Sequence, residues 1–289
     1  MTNLHTQNQL VSVILPCYNS GKYIEKAIKS LTKQTYQNIE IIVIDDGSDD
    51  NITAELLDKL SGIKLFRQEN KGLSSARNLG IDKANGSLIL PLDADDSLSP
   101  TAIEKMVSAF LSADGNCFVF PSLRLEGEIT GSLYKNFNFF EQLFFNQLPY
   151  CLLFPKEVAQ LIGYYDERMK DGYEDWEFNI RLGKNGYRGI AVHDAILHYR
   201  VSSSGMLLAK STKLHGFLWR FIISKHSDLY TLRNLLKNWL KWKGDKSTYP
   251  KILLFCWYLF FIFAPQTLFN FVFSRLKRFS QSRRISSKR

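Results

Sequence analysis

Residues 11–50 read VSVILPCYNSGKYIEKAIKSLTKQTYQNIEIIVIDDGSDD. The run VSVILP (11–16) is short, apolar and rich in β-branched residues, which is typical of a buried parallel strand. Polar residues interrupt it at Asn19, and apolar side chains then recur at helical spacing over residues 24–31. The run IEIIVI (39–44) has the same character as the first strand. The stretch therefore predicts a strand, a helix and a second strand of one parallel sheet.

The same alternation continues along the chain. It predicts a helix over 53–60, a strand over 63–68, a helix over 73–84 and a strand over 87–92. Alternating strands and helices favour right-handed crossovers within one sheet. We therefore expect an α/β fold with a mostly parallel, Rossmann-like central sheet flanked by helices.

Acidic side chains follow two of these strands. Asp45 and Asp46 end the second strand, and Asp93, Asp95 and Asp96 follow the fourth. A lone acidic turn is ordinarily a solvated loop. Ligands of such sheets, however, bind beyond the carboxyl ends of the strands, where both clusters lie. Neighbouring carboxylates repel each other unless water or a cation screens them. Two clusters at equivalent strand ends therefore favour a ligand site over solvated loops.

The second half of the domain has its own strands and helix. The sequence predicts strands over 117–122 and 187–201 and a helix that begins at Glu174 and ends before Gly186. An aromatic-rich stretch lies between them, and we interpret its rings as core in preference to a surface that stacks on an acceptor; these are Phe137, Phe139, Phe140, Phe144 and Phe145.

Charge divides the chain at about residue 205. Residues 1–204 carry a net charge of −6, and residues 205–289 carry +15. The basic part surrounds the run ILLFCWYLFFIFAPQTLFNFVF (252–273), which contains no charge. This combination favours an anionic membrane surface over nucleic acid as the partner. The sequence supports an in-plane anchor or a hairpin as well as it supports a helix that spans the membrane. The alternative to membrane association is a hydrophobic helix that binds a partner protein.

The cysteines and the N-terminus indicate the compartment. The four cysteines are scattered, without the spacing of a zinc site or a disulfide framework, and this fits a reducing environment. The polar N-terminus lacks the form of a secretory signal. We expect the protein at the cytoplasmic face of the cell membrane.

Four segments together resemble glycosyltransferase family 2, the inverting, nucleotide-sugar-dependent enzymes of the GT-A fold. They are residues 11–50 and the motifs NKGLSSARNLG (70–80), LPLDADD (90–96) and GYYDERMKDGYEDWEFNIRL (163–182). The resemblance covers residues 10–200 and implies a GT-A catalytic domain over 1–205. Its nucleotide-sugar half would span 10–98 and its acceptor half 99–205. Residues 206–289 form a helical, basic and apolar membrane-associating region outside the resemblance.

The resemblance implies a D-x-D motif that holds a divalent ion. Asp93 and Asp95 would contact the ribose of the donor and an Mn²⁺ or Mg²⁺ ion, and Asp96 would replace or assist Asp95. Hard cations bind carboxylates together with phosphate oxygens, so the ion resolves the repulsion between the aspartates and a diphosphate. His198 matches a histidine that ligates the metal in some relatives, with a structural histidine as the alternative.

The resemblance also implies a nucleotide pocket. Its residues would be Asp45 and Asp46 at the uracil edge, Pro16 and Tyr18 as walls, and Arg77 facing the nucleotide with Lys71 nearby. The alternative for Arg77 is an ion pair on the helix surface. Arg181 is in reach of the diphosphate, but an ion pair with Glu177 one helical turn away is an equal explanation.

Asp175, beside Glu174, matches the family's general base. Transfer with inversion requires a carboxylate that takes the proton of the acceptor hydroxyl. The alternative is that both acids only favour the start of the helix through its dipole.

The implied function is transfer of a sugar, from UDP by family tendency, to a hydroxyl of a glycan or lipid-linked glycan precursor in cell-surface polysaccharide synthesis. A polyprenol-phosphate sugar synthase is one alternative. A non-catalytic, membrane-tethered nucleotide-binding module is another. The sequence leaves the sugar, the acceptor and the oligomeric state open.

Overall fold

A computed structural model describes residues 9–203, 205, 211, 213–265, 267–269, 271–273 and 275. The N-terminal residues 1–8 and the basic residues 276–289, on which two of the sequence predictions fall, lie outside the described residues. The first half alternates strands and helices in the order β1 (Val11–Cys17), α1 (Gly21–Thr32), β2 (Ile39–Asp45), α2 (Asn51–Lys59), β3 (Lys64–Arg67), α3 (Leu73–Lys83) and β4 (Leu88–Pro91). Every strand and helix predicted in this half is present.

These strands form a central sheet in the order β3-β2-β1-β4-β8, where β8 is the short strand Phe154–Pro155. The first four strands are parallel, and β8 runs antiparallel at the edge. Strand β1 lies between β2 and β4 and is buried along its whole length. The carboxyl ends of β2 and β4 therefore flank the end of β1, and the two acidic clusters follow at the same edge of the sheet.

A second sheet completes the domain, although the sequence predicts only one central sheet. It contains β5 (Ser97–Leu98), β6 (Cys117–Gly127), β7 (Gly131–Leu133) and β9 (Arg188–Val201), in the order β5-β9-β6-β7. Strand β5 pairs Ser97 with His198 of β9. This pairing brings the segment 93–96 next to the end of β9, which lies about a hundred residues later in the chain.

The remaining helices of this domain are α4 (Ala102–Leu111), α5 (Phe139–Gln142), α6 (Lys156–Ile162) and α7 (Glu174–Lys184). The core interpretation of the aromatic stretch is confirmed for four of its rings, since Phe137, Phe139, Phe140 and Phe144 are buried. Phe145 is partly buried against the same cluster.

The described part of the chain after residue 205 includes the helices α8 (His215–Lys225), α9 (Leu232–Lys241) and α10 (Lys251–Phe263). Trp219 of α8 and Phe261 of α10 belong to the same buried cluster as Phe140 and Trp176. Residues on both sides of the predicted boundary at 205 therefore share one core. Within the described residues, no helix has the length and apolar character that crossing a membrane requires.

Gly80 allows α3 to pack closely on β1. A Cβ atom at residue 80 would lie 2.2 Å from Cγ2 of Ile14. Glycine lowers the stability of a helix interior by about 1 kcal/mol relative to alanine. The close approach of helix and strand explains why a glycine occupies this position.

We expect Gly80→Ala to destabilise the protein by about 1–3 kcal/mol, because the added methyl group overpacks the contact with Ile14. Urea unfolding measures the change. In the background of Ile14→Ala, which removes the clashing atom, the same substitution should be neutral or stabilising. An equal loss in both backgrounds would show that the contact with Ile14 is not the cause.

Candidate active site

Asp45 and Asp46 organise the loops at the carboxyl end of the central sheet. Both are buried. Asp45 accepts a hydrogen bond from the backbone N–H of Ser48 at 2.9 Å, and Asp46 accepts from the N–H groups of Lys71 and Gly72 at 2.9 and 2.8 Å. These bonds join the end of β2 to the start of α3. The predicted contact of Asp45 and Asp46 with a base stays a prediction.

The predicted pocket walls differ in exposure. Pro16 is buried within β1, where it pairs with Ile44 of β2. Tyr18 is 44% exposed just after the strand. Lys71 is exposed and lines a small cavity together with Ser74, Lys170 and Glu174. The start of α3 and the start of α7 therefore face each other across this cavity.

Arg77 on α3 joins the two acidic regions. Its Nη2 donates to Oδ1 of Asp93 at 2.8 Å, and its Nη1 donates to Oε1 of Glu174 at 2.7 Å. The guanidinium lies 5.2 Å from the ring centroid of Tyr150 and 5.4 Å from that of Tyr165. The side chain is 1% exposed. Both stacking rings and both carboxylates hold it in one orientation.

This arrangement decides against the alternative explanation of Arg77. Its guanidinium is buried between Asp93 and Glu174, so its ion pairs do not lie on the helix surface. The predicted position of Arg77 facing the nucleotide stays a prediction. Burial raises the pKa of Glu174 above its ordinary value, and the charge of Arg77 opposes that rise.

Asp96 is enclosed by the protein. It is 2% exposed, accepts from the hydroxyl of Tyr150 at 2.5 Å and accepts from the backbone N–H of Arg200 at 2.7 Å. Burial raises its pKa well above the ordinary value, and the charges of Asp93 and Asp95 add to the rise. Asp96 therefore organises the segment 93–96, and its predicted role as a metal ligand does not fit its surroundings.

Asp95 fits a metal ligand better. Its side chain is 36% exposed, and its Oδ2 accepts from Nη1 of Arg200 at 3.2 Å. Within the described residues, no group of three or more His, Cys, Asp and Glu side chains is placed to hold a metal ion. Mg²⁺ at nucleotide sites binds only one or two carboxylates and completes its coordination sphere with water molecules and phosphate oxygens. Asp95, with Asp93 as its neighbour, meets that requirement.

His198 lies on β9 two residues before Arg200, on the same face of the strand. Its Nδ1 is 2.7 Å from Oε1 of Glu126. A histidine that ligates a metal commonly has its other ring nitrogen bonded to a carboxylate in this way. The geometry is compatible with the predicted ligand role and equally with a structural ion pair.

Asp175 is held by its neighbours at the start of α7. Its Oδ2 accepts from Nδ2 of Asn146 at 2.8 Å, and its Oδ1 accepts from the N–H of Trp176 at 2.7 Å. Burial raises its pKa, whereas Arg77 and the Asn146 hydrogen bond oppose the rise. Tyr173, the residue directly before α7, has a left-handed backbone with φ of 66°. Such strain is found where a backbone must aim functional side chains.

Arg181 is engaged elsewhere. Its Nε and Nη2 donate to Glu177, and its Nη1 and Nη2 donate to carbonyl oxygens of residues 162–164. The ion pair with Glu177, which the sequence leaves as an equal explanation, is the one present. The predicted contact of Arg181 with the diphosphate stays a prediction. Although burial alone would raise the pKa of Glu177, hydrogen bonds from His226 and Arg181 lower it to about 2.

Sequence reasoning missed Tyr150, Asn146 and Arg200. Tyr150 and Asn146 lie at the end of the aromatic stretch, whose apolar pattern conceals them. The sequence did contain an indication for Arg200, because the alternation of side chains along a strand places it on the same face as the predicted ligand His198. The missed residues are those that hold the predicted carboxylates in place.

Comparison with known proteins is consistent with this geometry. A family model described as "Glycosyl transferase family 2" matches residues 12–161 of the chain. An uncharacterized glycosyltransferase of Haemophilus influenzae is 32% identical over 232 residues, which cover 74% of this chain and 87% of that relative. Glycosyltransferase GlyG of Streptococcus pneumoniae is 38% identical over 117 residues, and the match spans only 38% of its length.

Solved structures of S. aureus TarS share the fold. Residues 1–349 of TarS in complex with UDP-GlcNAc give a TM-score of 0.63 at 18% identity, covering 79% of this chain and 69% of that chain. The complex of the same TarS fragment with UDP gives a TM-score of 0.59 at 20% identity. The Rossmann-like α/β arrangement with flanking helices is therefore common to both proteins.

We expect Arg77→Met to destabilise the protein by about 3–5 kcal/mol, because it leaves two carboxylates without their buried cation. Without Arg77, the folded-state pKa of Glu174 rises further above its unfolded value. The destabilisation should therefore be smaller at about pH 5, where the carboxyl is protonated, than at about pH 8. Urea unfolding at both pH values measures it.

The matched control is Lys59→Met, which removes an exposed ion pair with Glu55 and should change stability by less than about 1 kcal/mol. Adding Glu174→Gln to Arg77→Met should recover part of the loss. If the loss of stability in Arg77→Met were the same at both pH values, the buried ion pair between Arg77 and Glu174 would not be its cause.

Proposed function

The chain belongs to glycosyl transferase family 2, a family of sugar-transferring enzymes, and on that basis we propose that it moves a sugar from a nucleotide-diphosphate donor to an acceptor hydroxyl with inversion at the anomeric carbon. One observation carries the proposal. Arg77 connects Asp93, at the end of β4, to Glu174, which precedes Asp175 on α7. Asp93, which we propose lies near the donor, and Asp175, the candidate base, thus belong to one cleft.

The donor we propose is a UDP-sugar. The TarS structures, which share the fold, contain UDP and UDP-GlcNAc. In this chain, the ends of β1 and β2 would bind the uridine, with Tyr18 against the base and Asp46 at its edge. The exposed amine of Lys71 and the start of α3 supply positive potential near the diphosphate.

A divalent cation, Mn²⁺ or Mg²⁺, fits the acidic segment at Asp95, with Asp93 and His198 as further candidate ligands. When bound, the ion supplies Lewis-acid stabilisation of the charge on the departing diphosphate. The protein's own contribution is to keep Asp95 accessible while Tyr150 and the backbone of Arg200 retain Asp96. A cation held by Asp95 would share this carboxylate with Arg200, whose Nη1 donates to Oδ2 at 3.2 Å.

Asp175 is the general base in this proposal. Asn146 and the N–H of Trp176 fix the plane of its carboxylate, so one lone pair can accept the proton of the acceptor hydroxyl. Glu174 does not act directly, because Arg77 holds it inside the protein. Its role is to position the first turn of α7.

The acceptor we propose is a glycan or a lipid-linked glycan precursor of cell-surface polysaccharide, used at the cytoplasmic face of the cell membrane. The basic C-terminal part of the chain and the free cysteines support that location.

Activity assays with UDP-sugars and extracted acceptors test the proposal. We expect Asp175→Asn to lower kcat by about 10²–10⁴-fold, the usual contribution of a general base. Asp95→Asn and a chelator should both abolish the Mn²⁺-dependent rate. Asp114→Asn, an exposed acid in the loop after α4, is the matched control and should leave the rate unchanged. Full activity of Asp175→Asn with a polyprenol phosphate would instead indicate a lipid-phosphate acceptor, which is already ionised.

The pH profile gives an independent test of the base. The general base must be deprotonated, so kcat/KM should fall as the pH drops through the pKa of Asp175, which burial raises above the ordinary value of about 3.9. Asn146→Ala removes a hydrogen bond that lowers this pKa and should shift the acidic limb to higher pH. Asn116→Ala, at an exposed loop, should not. An unmoved limb would show that another group titrates.

A further inference from the structure

Helix α10 is apolar on two opposite faces. Leu254 and Phe261 on one face are buried in the core shared with the catalytic domain. The opposite face carries Ile252, Cys256, Leu259 and Phe263, spaced as one stripe along the helix. All four are exposed, and Phe263 is 80% exposed. We call these four residues the α10 stripe.

Apolar exposure continues past the end of α10. The helix stops at Phe263, and Pro265 follows shortly. Beyond this bend Phe269 is buried, with its ring 4.6 Å from that of Phe261, whereas Leu268 and Phe271 are exposed. The segment therefore folds back on the same core and presents further apolar side chains to the surface.

Helix α9 repeats the pattern with basic residues beside the apolar ones. Leu232, Leu236 and Leu240 are exposed at intervals of four residues. Arg233, Lys237 and Lys241, which directly follow them in the sequence, are also exposed. Leucines beside basic side chains are typical of a helix that lies in a membrane interface.

The acidic residues of this region are neutralised. Residues 205–289 contain only two, Asp228 and Asp245. Asp228 pairs with Lys184 at 2.9 Å, and Asp245 pairs with Arg188 at 2.8 Å. Both partners lie in the catalytic domain. The C-terminal helices therefore present positive charge and apolar surface together.

We propose that the α10 stripe docks in the plane of a bilayer that contains anionic lipids. A bilayer offers an apolar interior and negative headgroups, and so matches both properties of the surface. A second copy of the chain would bring a second excess of positive charge to the contact. Helix α10, with 13 residues, is about 20 Å long, whereas the hydrocarbon core is about 30 Å thick. The helix therefore lies along the interface. This inference is independent of the donor, the cation and the base proposed above.

Vesicle sedimentation with the full chain tests the proposal. We expect binding to phosphatidylcholine vesicles that contain phosphatidylglycerol, weaker binding without the anionic lipid and weaker binding at high salt. Leu259→Glu/Phe263→Glu should lower the partition coefficient of the protein between water and vesicles roughly tenfold or more, because the new carboxylates are unfavourable in the acyl region of the bilayer. The matched control is Leu161→Glu on α6, where the leucine is 72% exposed and lies outside the C-terminal helices; this variant should bind as the unchanged chain does.

Two further measurements keep the result interpretable. Phe263→Trp should bind and show a blue-shifted emission that brominated lipid quenches, which reports insertion directly. Thermal unfolding of the glutamate variant in buffer checks that it remains folded. Unchanged vesicle binding by a folded Leu259→Glu/Phe263→Glu variant would overturn the proposal. So would self-association in the absence of lipid that the same variant abolishes, since the stripe would then bind a second copy. Activity towards a water-soluble acceptor is measured separately, so that a failure of docking and a failure of the proposed reaction are distinguished.

Discussion

The positive charge of Arg77 is buried between two carboxylates that come from distant parts of the chain. Asp93 follows β4, and Glu174 begins α7. An isolated charge in the protein interior is strongly unfavourable, so the guanidinium is stable there only with both partners in place. The rings of Tyr150 and Tyr165 complete the enclosure. This requirement fixes the distance between the acidic segment 93–96 on one side of the cleft and the start of α7 on the other.

The second sheet supplies what the central sheet cannot. Parallel strands bring Asp46 and Asp93 to one edge, but they do not orient the segment that follows β4. The pairing of β5 with β9 does so, because it places the backbone N–H of Arg200 against Asp96. Tyr150 bonds the same segment from another direction. Asp96 therefore turns inward and Asp95 remains accessible.

Sequence patterns predicted the elements that depend on local periodicity. Strands β1 to β4, their helices and the acidic clusters after β2 and β4 follow from apolar spacing and from the rule for ligand sites in α/β sheets. The choice between Asp95 and Asp96 did not follow, because it depends on contacts with Tyr150 and Arg200, about fifty and a hundred residues away. The burial of Arg77 escaped prediction for the same reason. Arg181 shows the converse case, since its partner Glu177 lies one turn away and was identified from spacing alone.

Helices α8 and α10 share their hydrophobic core with the catalytic domain. Trp219 lies beside Trp176 at 6.3 Å between ring centroids, and Tyr258 contacts Phe144 at 6.1 Å. Ending the chain at the predicted boundary near residue 205 would uncover these rings to water. A shortened fragment made for crystallisation or for a soluble assay would therefore aggregate. The C-terminal helices can be altered at their exposed side chains, but they cannot be removed without exposing the core.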